Sequence, residues 1–287
     1  MATTIAQPAA RAARSTSPPR PRLGRALRTL AARRAALTAR NPRQIAVPML
    51  TPILFALVIA PALKSALGGL HSQIDYIAFV AVGTVGLLVP LATTFAGLSV
   101  LVDRDSGAQR ELLAAPIPRP LLVVANLAVV LGVCALQVVA VIAAAALRGA
   151  DFHVRASGVL WFVAAAVLFV VLMYGIAETL AARIHQQEEY IAATPAIAIL
   201  PWFFAGALFP IGAMPAALTA FAKVLPLTHA MALMRYGLVD PHGSGLHDIW
   251  GTTSTTAAAW LSLAVVVAWA AGLLAAAIRA FTRSAVS

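Results

Sequence analysis

Few residues in this chain could do chemistry, and they fall in a handful of places. His229, His242 and His247 lie with Asp240 and Asp248 in one late stretch. Imidazoles and carboxylates are metal ligands, but metal sites repeat them at short fixed intervals, and this spacing matches none. Ordinary loop polarity accounts for them. Glu178 stands near the end of an apolar run. A carboxylate there either relays protons from a buried position, or it snorkels to the interface or pairs with Arg183. Asn126 and Gln137 sit inside another apolar run, where amides line a path or lock helices together. The chain has no G-x-x-x-x-G-K-S/T loop to cradle phosphates and no G-x-S-x-G elbow to present a nucleophile.

The densest polar pattern is residues 102–120, VDRDSGAQRELLAAPIPRP. Asp103, Arg104, Asp105, Arg110 and Glu111 crowd together, and Pro116, Pro118 and Pro120 follow. A segment this polar cannot lie in hydrocarbon, and its punctuation exceeds what a connector needs. It reads as a surface through which something outside the membrane drives the rest.

The elements that must position these residues are membrane helices. Of 287 residues, 61% are hydrophobic and 11% charged, with a mean hydropathy of +0.88. A soluble domain carries about 25% charged residues. The length gives one membrane domain. The formal charge of +11 does not point to nucleic acid, because ten of the 21 Lys+Arg precede Ile45. A basic tail beside an apolar span belongs to membrane topology and anionic lipid. The single Cys134, inside an apolar run, offers neither a disulfide nor a thiolate cluster. High Ala and Arg with two lysines fits a high-GC bacterial genome.

Residues 1–21 read as a disordered basic tail without the apolar core of a secretory signal. Residues 22–43 read as an interfacial amphipathic helix, broken at Asn41-Pro42. Leu23, Leu27, Leu30 and Leu37 share one side, and Arg22, Arg25, Arg28, Arg33 and Arg40 the other. Arg34 is the exception to that division. A transmembrane domain over 44–283 follows, with spans at about 45–63, 74–101, 121–147, 158–182, 191–209 and 255–278. A short polar link fills 64–73. Pro48, Pro52 and Pro61 kink the first span, and Pro195 and Pro201 lie in the fifth.

Between spans five and six, residues 210–240 are too apolar for an exposed loop. Pro215 and Pro226 divide them into pieces of roughly 10 and 14 residues, too short to cross at about 1.5 Å per residue. They read as an outer re-entrant helical hairpin. Lys223 and Arg235 are expected near the interface, with Phe203, Phe204 and Phe209 nearby as a gate. A seventh, broken span is the alternative, and it would put the C-terminus outside. With both termini in the cytoplasm, sixteen of 21 Lys+Arg lie inside and five outside, as the positive-inside rule requires. No chain of Asp/Glu runs along the spans and no inverted repeat is clear, which argues against a proton- or sodium-driven carrier. A membrane part without its own energy source needs a partner.

This order of pieces resembles the ABC-2 type permease family, the membrane subunits of ABC exporters, especially those of the daunorubicin-resistance kind. In that family the loop after the second span runs approximately E-R-x-x-G-x-x-x-x-L-L-x-x-P-x-x-R. Asp103, Arg104, Gly107, Leu112, Leu113, Pro116 and Arg119 stand at those places, with Asp103 and Asp105 where Glu is usual. The late pattern P-L-(T/S)-(H/Y)-x-x-x-x-x-R is matched by Pro226, Leu227, Thr228, His229 and Arg235. The resemblance runs from Arg22 to Arg283.

It implies an all-α membrane protein with six transmembrane helices, an N-terminal interfacial helix, a cytoplasmic coupling helix, an outer re-entrant hairpin and both termini cytoplasmic. Two permease subunits, copies or paralogues, would assemble with two ABC ATPase subunits. ATP and magnesium would bind the ATPase; this chain would bind no cofactor and be no enzyme itself. Asp105 to Ala114 would form the coupling helix, docked in a groove on the ATPase. Asp103 and Asp105 would favour its N-terminal end. Arg110 and Glu111 would contact the ATPase with Leu112 packed between, and the Pro116-Ile117-Pro118 run would stop the helix and stiffen its return. The setting is a bacterial plasma membrane. Sparse polar groups in the spans favour a hydrophobic or amphipathic cargo (drug, antibiotic or lipid-like), as in multidrug efflux and antibiotic resistance. Within the same fold the alternative cargo is a lipid-linked glycan or polysaccharide precursor. A membrane acyl- or glycosyltransferase would need an acidic or His site near an interface, and the sequence offers none. A non-transporting scaffold is the remaining class.

Overall fold

A computed structural model describes residues 23–62 and 75–284, which are helical apart from turns. The tail at 1–21, Arg22 and the link at 64–73 lie outside the described residues. Helix α1, Leu23–Ala39, precedes α2, Pro42–Leu54. Pro48 and Pro52 each withhold a ladder donor from α2, and the helix widens into a π turn at Phe55–Ile59. Together these form the first apolar crossing, Ile45–Ala62.

Helix α3, Tyr76–Asp105, begins where the Asp75 carboxylate accepts from the Ile77 amide at 3.1 Å. Its crossing window is 61% buried, against 22–44% for the other four long helices, so α3 is the axis of the bundle. Next come α4, Ala108–Ala114, α5, Pro120–Leu147, α6, Ala156–Arg183, and α7, Gln187–Phe204. After a 3₁₀ turn at Ile211–Ala213 come α8, Ala216–Val224, α9, Pro226–Leu238, α10, Ser244–Trp250, and α11, Thr255–Ser284. Helix α6 packs on α11, α9 and α3, while α1 lies along α5.

Among the described residues five helices are long and apolar enough to cross a membrane. Helix α7 is not one of them by length and composition, yet it runs the length of α3: Gln187 meets Asp105 at the end of α3, and Leu208 O, just past Phe204, accepts from Tyr76 Oη at its start. Its first turn holds Glu188 and Glu189, and the helix stops at Phe204, where Gly206 turns the chain at φ 73°.

Helices α8 and α9 meet at Leu225 with a bend of 86°. Almost every residue of α9 from Leu227 to Leu238 is buried, and its neighbours give its course. His229 contacts Ser262, about 10 Å along α11, and Met231 lies against Gly86, about 15 Å along α3. Gly237 meets Gly158 at the start of α6. Helix α9 therefore runs from inside the bundle to the end opposite α4.

Candidate functional site

At the α4 end, Asp103, Arg104 and Asp105 belong to the last turn of α3, not to the short helix. Their expected place at the head of the coupling helix is corrected. A helix C-terminus disfavours carboxylates, so each is compensated from another element. Asp103 Oδ2 accepts from Arg34 Nη1 at 2.9 Å, the one ion pair among the described residues. Asp105 Oδ2 accepts from Gln187 Nε2 at 2.7 Å. Arg104 donates to the carbonyls of Ala181 (3.3 Å), Ile184 (3.0 Å) and His185 (3.2 Å), capping the end of α6. Helices α1, α6 and α7 thus grip the last turn of α3. The chain then turns at Gly107, whose φ of 78° suits a residue without Cβ.

Helix α4 shows Arg110, Glu111 and Ala114 to solvent, and Ala115 and Pro116 continue that face. Leu112 and Leu113 turn inward and pack on the core, with Ile117 beside them. Leu112 therefore roots the helix instead of lying between Arg110 and Glu111 as a contact. On the return, Arg119 Nη1 donates to the Thr282 carbonyl of α11 at 3.3 Å. The seven-residue helix is anchored on both sides.

At the other end, Arg235 is 9% exposed, buried in the bundle beside Phe79 in the first turn of α3. Its Nη1 donates to Gly206 O at 2.8 Å and its Nη2 to Ala207 O at 2.7 Å, with Phe79 O at 3.5 Å. Its guanidinium carbon lies 3.4 Å from the centre of the Phe79 ring. The two close carbonyls follow the end of α7, so Arg235 ties that end to α9 and α3. Pro226 opens α9 at a position where its missing N–H costs no ladder bond. The His229 ring lies 2.9 Å from Lys223 O and 3.2 Å from Ser262 Oγ, against Trp250. Phe204 meets Phe221 of α8 edge-on at 5.5 Å. Phe203 meets Trp202 edge-on, and both Phe203 and Phe209 are exposed.

Of the late histidines and aspartates, His229, Asp240 and His247 are engaged locally. Asp240 accepts from the amides of His242, Gly243 and Ser244 and from the Ser244 hydroxyl, closing the loop before α10. His247 lies 2.9 Å from Thr255 Oγ1. Gln137 Nε2 donates to Ile45 O at 2.7 Å and locks α5 to α2. Glu178 is buried while Arg183 is exposed, and no ion pair joins them among the described residues, so neither the snorkelling carboxylate nor its pair with Arg183 is found.

Between α2, α3 and α7 lies an open cavity of about 380 Å³. Val47, Leu98, Ile191 and Ile199 line it, with hydroxyls from Thr51 and Thr194 and no Asp, Glu, Lys or Arg. Sequence reasoning missed this cavity and also the partner of Arg34. The signal for Arg34 was present, since it alone breaks the basic side of α1.

No curated protein matches the chain. The family model described as ABC-2 type transporter matches residues 25–239, which take in most of α1, the gripped end of α3, α4 and the bent α8–α9 pair. On that match this multi-pass membrane chain belongs to the ABC-2 type transporter family.

Proposed function

We propose that this permease is the membrane subunit of an ATP-binding-cassette exporter that moves a hydrophobic or amphipathic compound out of the cell. Its energy comes from a separate ATPase subunit, which holds the ATP and magnesium, and a second permease completes the assembly. Helix α4 is the observation that carries the reading. It is short, stiffly returned by Pro116 and Pro118, and presents Arg110 and Glu111 outward. It also continues from the most buried helix of the bundle through one glycine turn. A push on α4 therefore reaches α3, and through Arg34, Arg104 and Gln187 it reaches α1, α6 and α7. The α4 end faces the cytoplasm with both termini, and the α9 end faces outward. The cavity beside α7 supports an apolar cargo segment, because its wall offers methyl groups and a few hydroxyls but no charge to hold an ion.

The test reverses the exposed pair, Arg110→Glu with Glu111→Arg, in the complex with the ATPase. Neither side chain packs into the core, so insertion and melting temperature should stay as in the wild type. Export and permease-stimulated ATP hydrolysis should fall by about tenfold or more, as like charges meet across the contact. Undiminished export from the reversed pair would remove α4 as the docking element.

A further inference from the structure

Pro90 stands in the middle of α3 and has no N–H to give Gly86 O, so the ladder is broken there. Thr93 Oγ1 donates to Val89 O at 2.9 Å, and Thr94 Oγ1 to Pro90 O at 2.7 Å. Threonine hydroxyls bonded back in this way bend helices. The two sides of Pro90 differ. Every residue from Ile77 to Pro90 is buried, against fewer than half of those from Leu91 to Asp105. The outer part is held at Gly83 O by Trp202 Nε1 at 2.8 Å, and at Tyr76, whose Oη donates to Leu208 O at 3.1 Å. The inner part borders two cavities. Leu91, Thr94 and Leu98 line the open one of about 380 Å³, and Ala92 and Ala96 line another of about 40 Å³ beside α5. Phe95 lines both, so this part of α3 has space on two sides.

Helix α7 carries a matching break. It runs antiparallel to α3, with Tyr190 Oη donating to Thr94 O at 3.1 Å and Trp202 Nε1 to Gly83 O. Pro90 lies four residues before Thr94, and Pro195 five residues after Tyr190, so the two prolines stand at one level of the bundle. Pro195 in turn has no donor for Ile191 O. We propose that Pro90 and Pro195 are positioning residues, a paired hinge on which the inner parts of α3 and α7 swing together while their outer parts stay fixed. The bonds Tyr190 to Thr94 and Gln187 to Asp105 join the moving parts. Trp202 and Tyr76 hold the fixed ones, and Phe55 of the first crossing closes edge-on against Trp202 at 5.3 Å. The swing changes the width of the open cavity, whose facing wall is Val47 and Thr51 of α2. Movement of α4 is thereby delivered to the cavity and not to the outer end. That ATP drives the swing rests on the coupling role proposed above; the hinge itself does not.

The hinge is tested in the full-length permease in nanodiscs, without the ATPase, by pulsed electron paramagnetic resonance. Spin labels at Ile191→Cys and Phe203→Cys, both exposed, flank Pro195. A Cys134→Ala background removes the one native thiol, and singly labelled permease identifies distances between copies. With Pro195 in place the distance distribution should be broad or two-peaked, and Pro195→Ala should collapse it to one narrow peak. Equally narrow distributions in both overturn the hinge. The driven swing is tested in the ATPase complex with Pro90→Ala plus Pro195→Ala. Alanine restores both ladder donors, so the melting temperature should stay at or above the wild type. Permease-stimulated ATP hydrolysis should persist, because α4 is untouched. Export per ATP hydrolysed should fall by about tenfold, since the swing must now break a ladder bond in each helix. Prolines with a merely structural role would leave export following the melting temperature. Undiminished export in the double variant overturns the driven swing. If the wild type shows no ATPase-dependent export, the coupling role falls and the distance measurement alone decides the hinge.

Discussion

Arg235→Met should abolish export and lower the melting temperature by roughly 6 to 12 °C, at about 2 to 4 °C for each kcal/mol. Methionine fills much of the same volume, so the loss is not a cavity. It comes from the carbonyls of Gly206 and Ala207, which Arg235 alone is seen to satisfy at 2.8 and 2.7 Å. Leaving two buried acceptors unpaired costs about 1–3 kcal/mol each. Losing the stack on Phe79 adds about 0.5–2 kcal/mol. Removing a buried charge returns part of this, and a net loss of about 3 kcal/mol remains. Arg235→Lys is the discriminating variant. Lysine keeps the charge but cannot fork to two carbonyls or lie flat on a ring. It should melt close to Arg235→Met. A lysine variant that melts like the wild type would show that the charge, and not the fork, holds α7. Tryptophan fluorescence is a suitable readout, because Trp202 lies in the last turn of α7 and donates to Gly83 O at 2.8 Å.

These contacts also show what the sequence could and could not reveal. The long apolar runs were legible as helices because length and hydropathy alone specify them. The family match covers residues 25–239, so α4 and the stretch from Pro226 to Arg235 both lie within it. Where helices end was less legible, because their ends depend on partners far away in the chain. Helix α3 continues to Asp105 since Arg34, 69 residues from Asp103, and Gln187, 82 residues from Asp105, neutralise its acidic last turn. Nothing near position 103 announces them. Likewise α7 stops at Phe204 because Gly206 reverses the chain and Arg235, 29 residues on from Gly206, donates to its carbonyl. The burial of Glu178 was hidden for a different reason. Helix α6 is apolar all round, so its pattern does not say which side meets lipid and which meets α3 and α11.

A single added methyl should do marked damage at Gly237. There α9 and α6 cross backbone to backbone. A Cβ on Gly237 would stand 2.5 Å from Gly158 O and 2.8 Å from Phe162 N, and a Cβ on Gly158 would overlap Gly237 O. A side chain in the way can rotate, but a main-chain carbonyl cannot, so the two helices must separate. Overpacking of this kind costs about 1–3 kcal/mol for a methyl, and more for a branched side chain. Separation here is felt further, since Arg235 lies two residues earlier and His153 N donates to Leu238 O at 2.8 Å one residue later. Gly237→Ala should therefore lower the melting temperature by about 2 to 12 °C, and Gly237→Val should also eliminate export. Gly132 and Gly272 are the controls, as a Cβ at either meets nothing within 4 Å. Alanine at those positions should melt at or above the wild type, since it favours a helix over glycine by about 1 kcal/mol. If Gly132→Ala, Gly272→Ala, Gly158→Ala and Gly237→Ala all melt together, α9 does not cross α6 at these glycines, and the path that brings Arg235 onto α7 has to be redrawn with it.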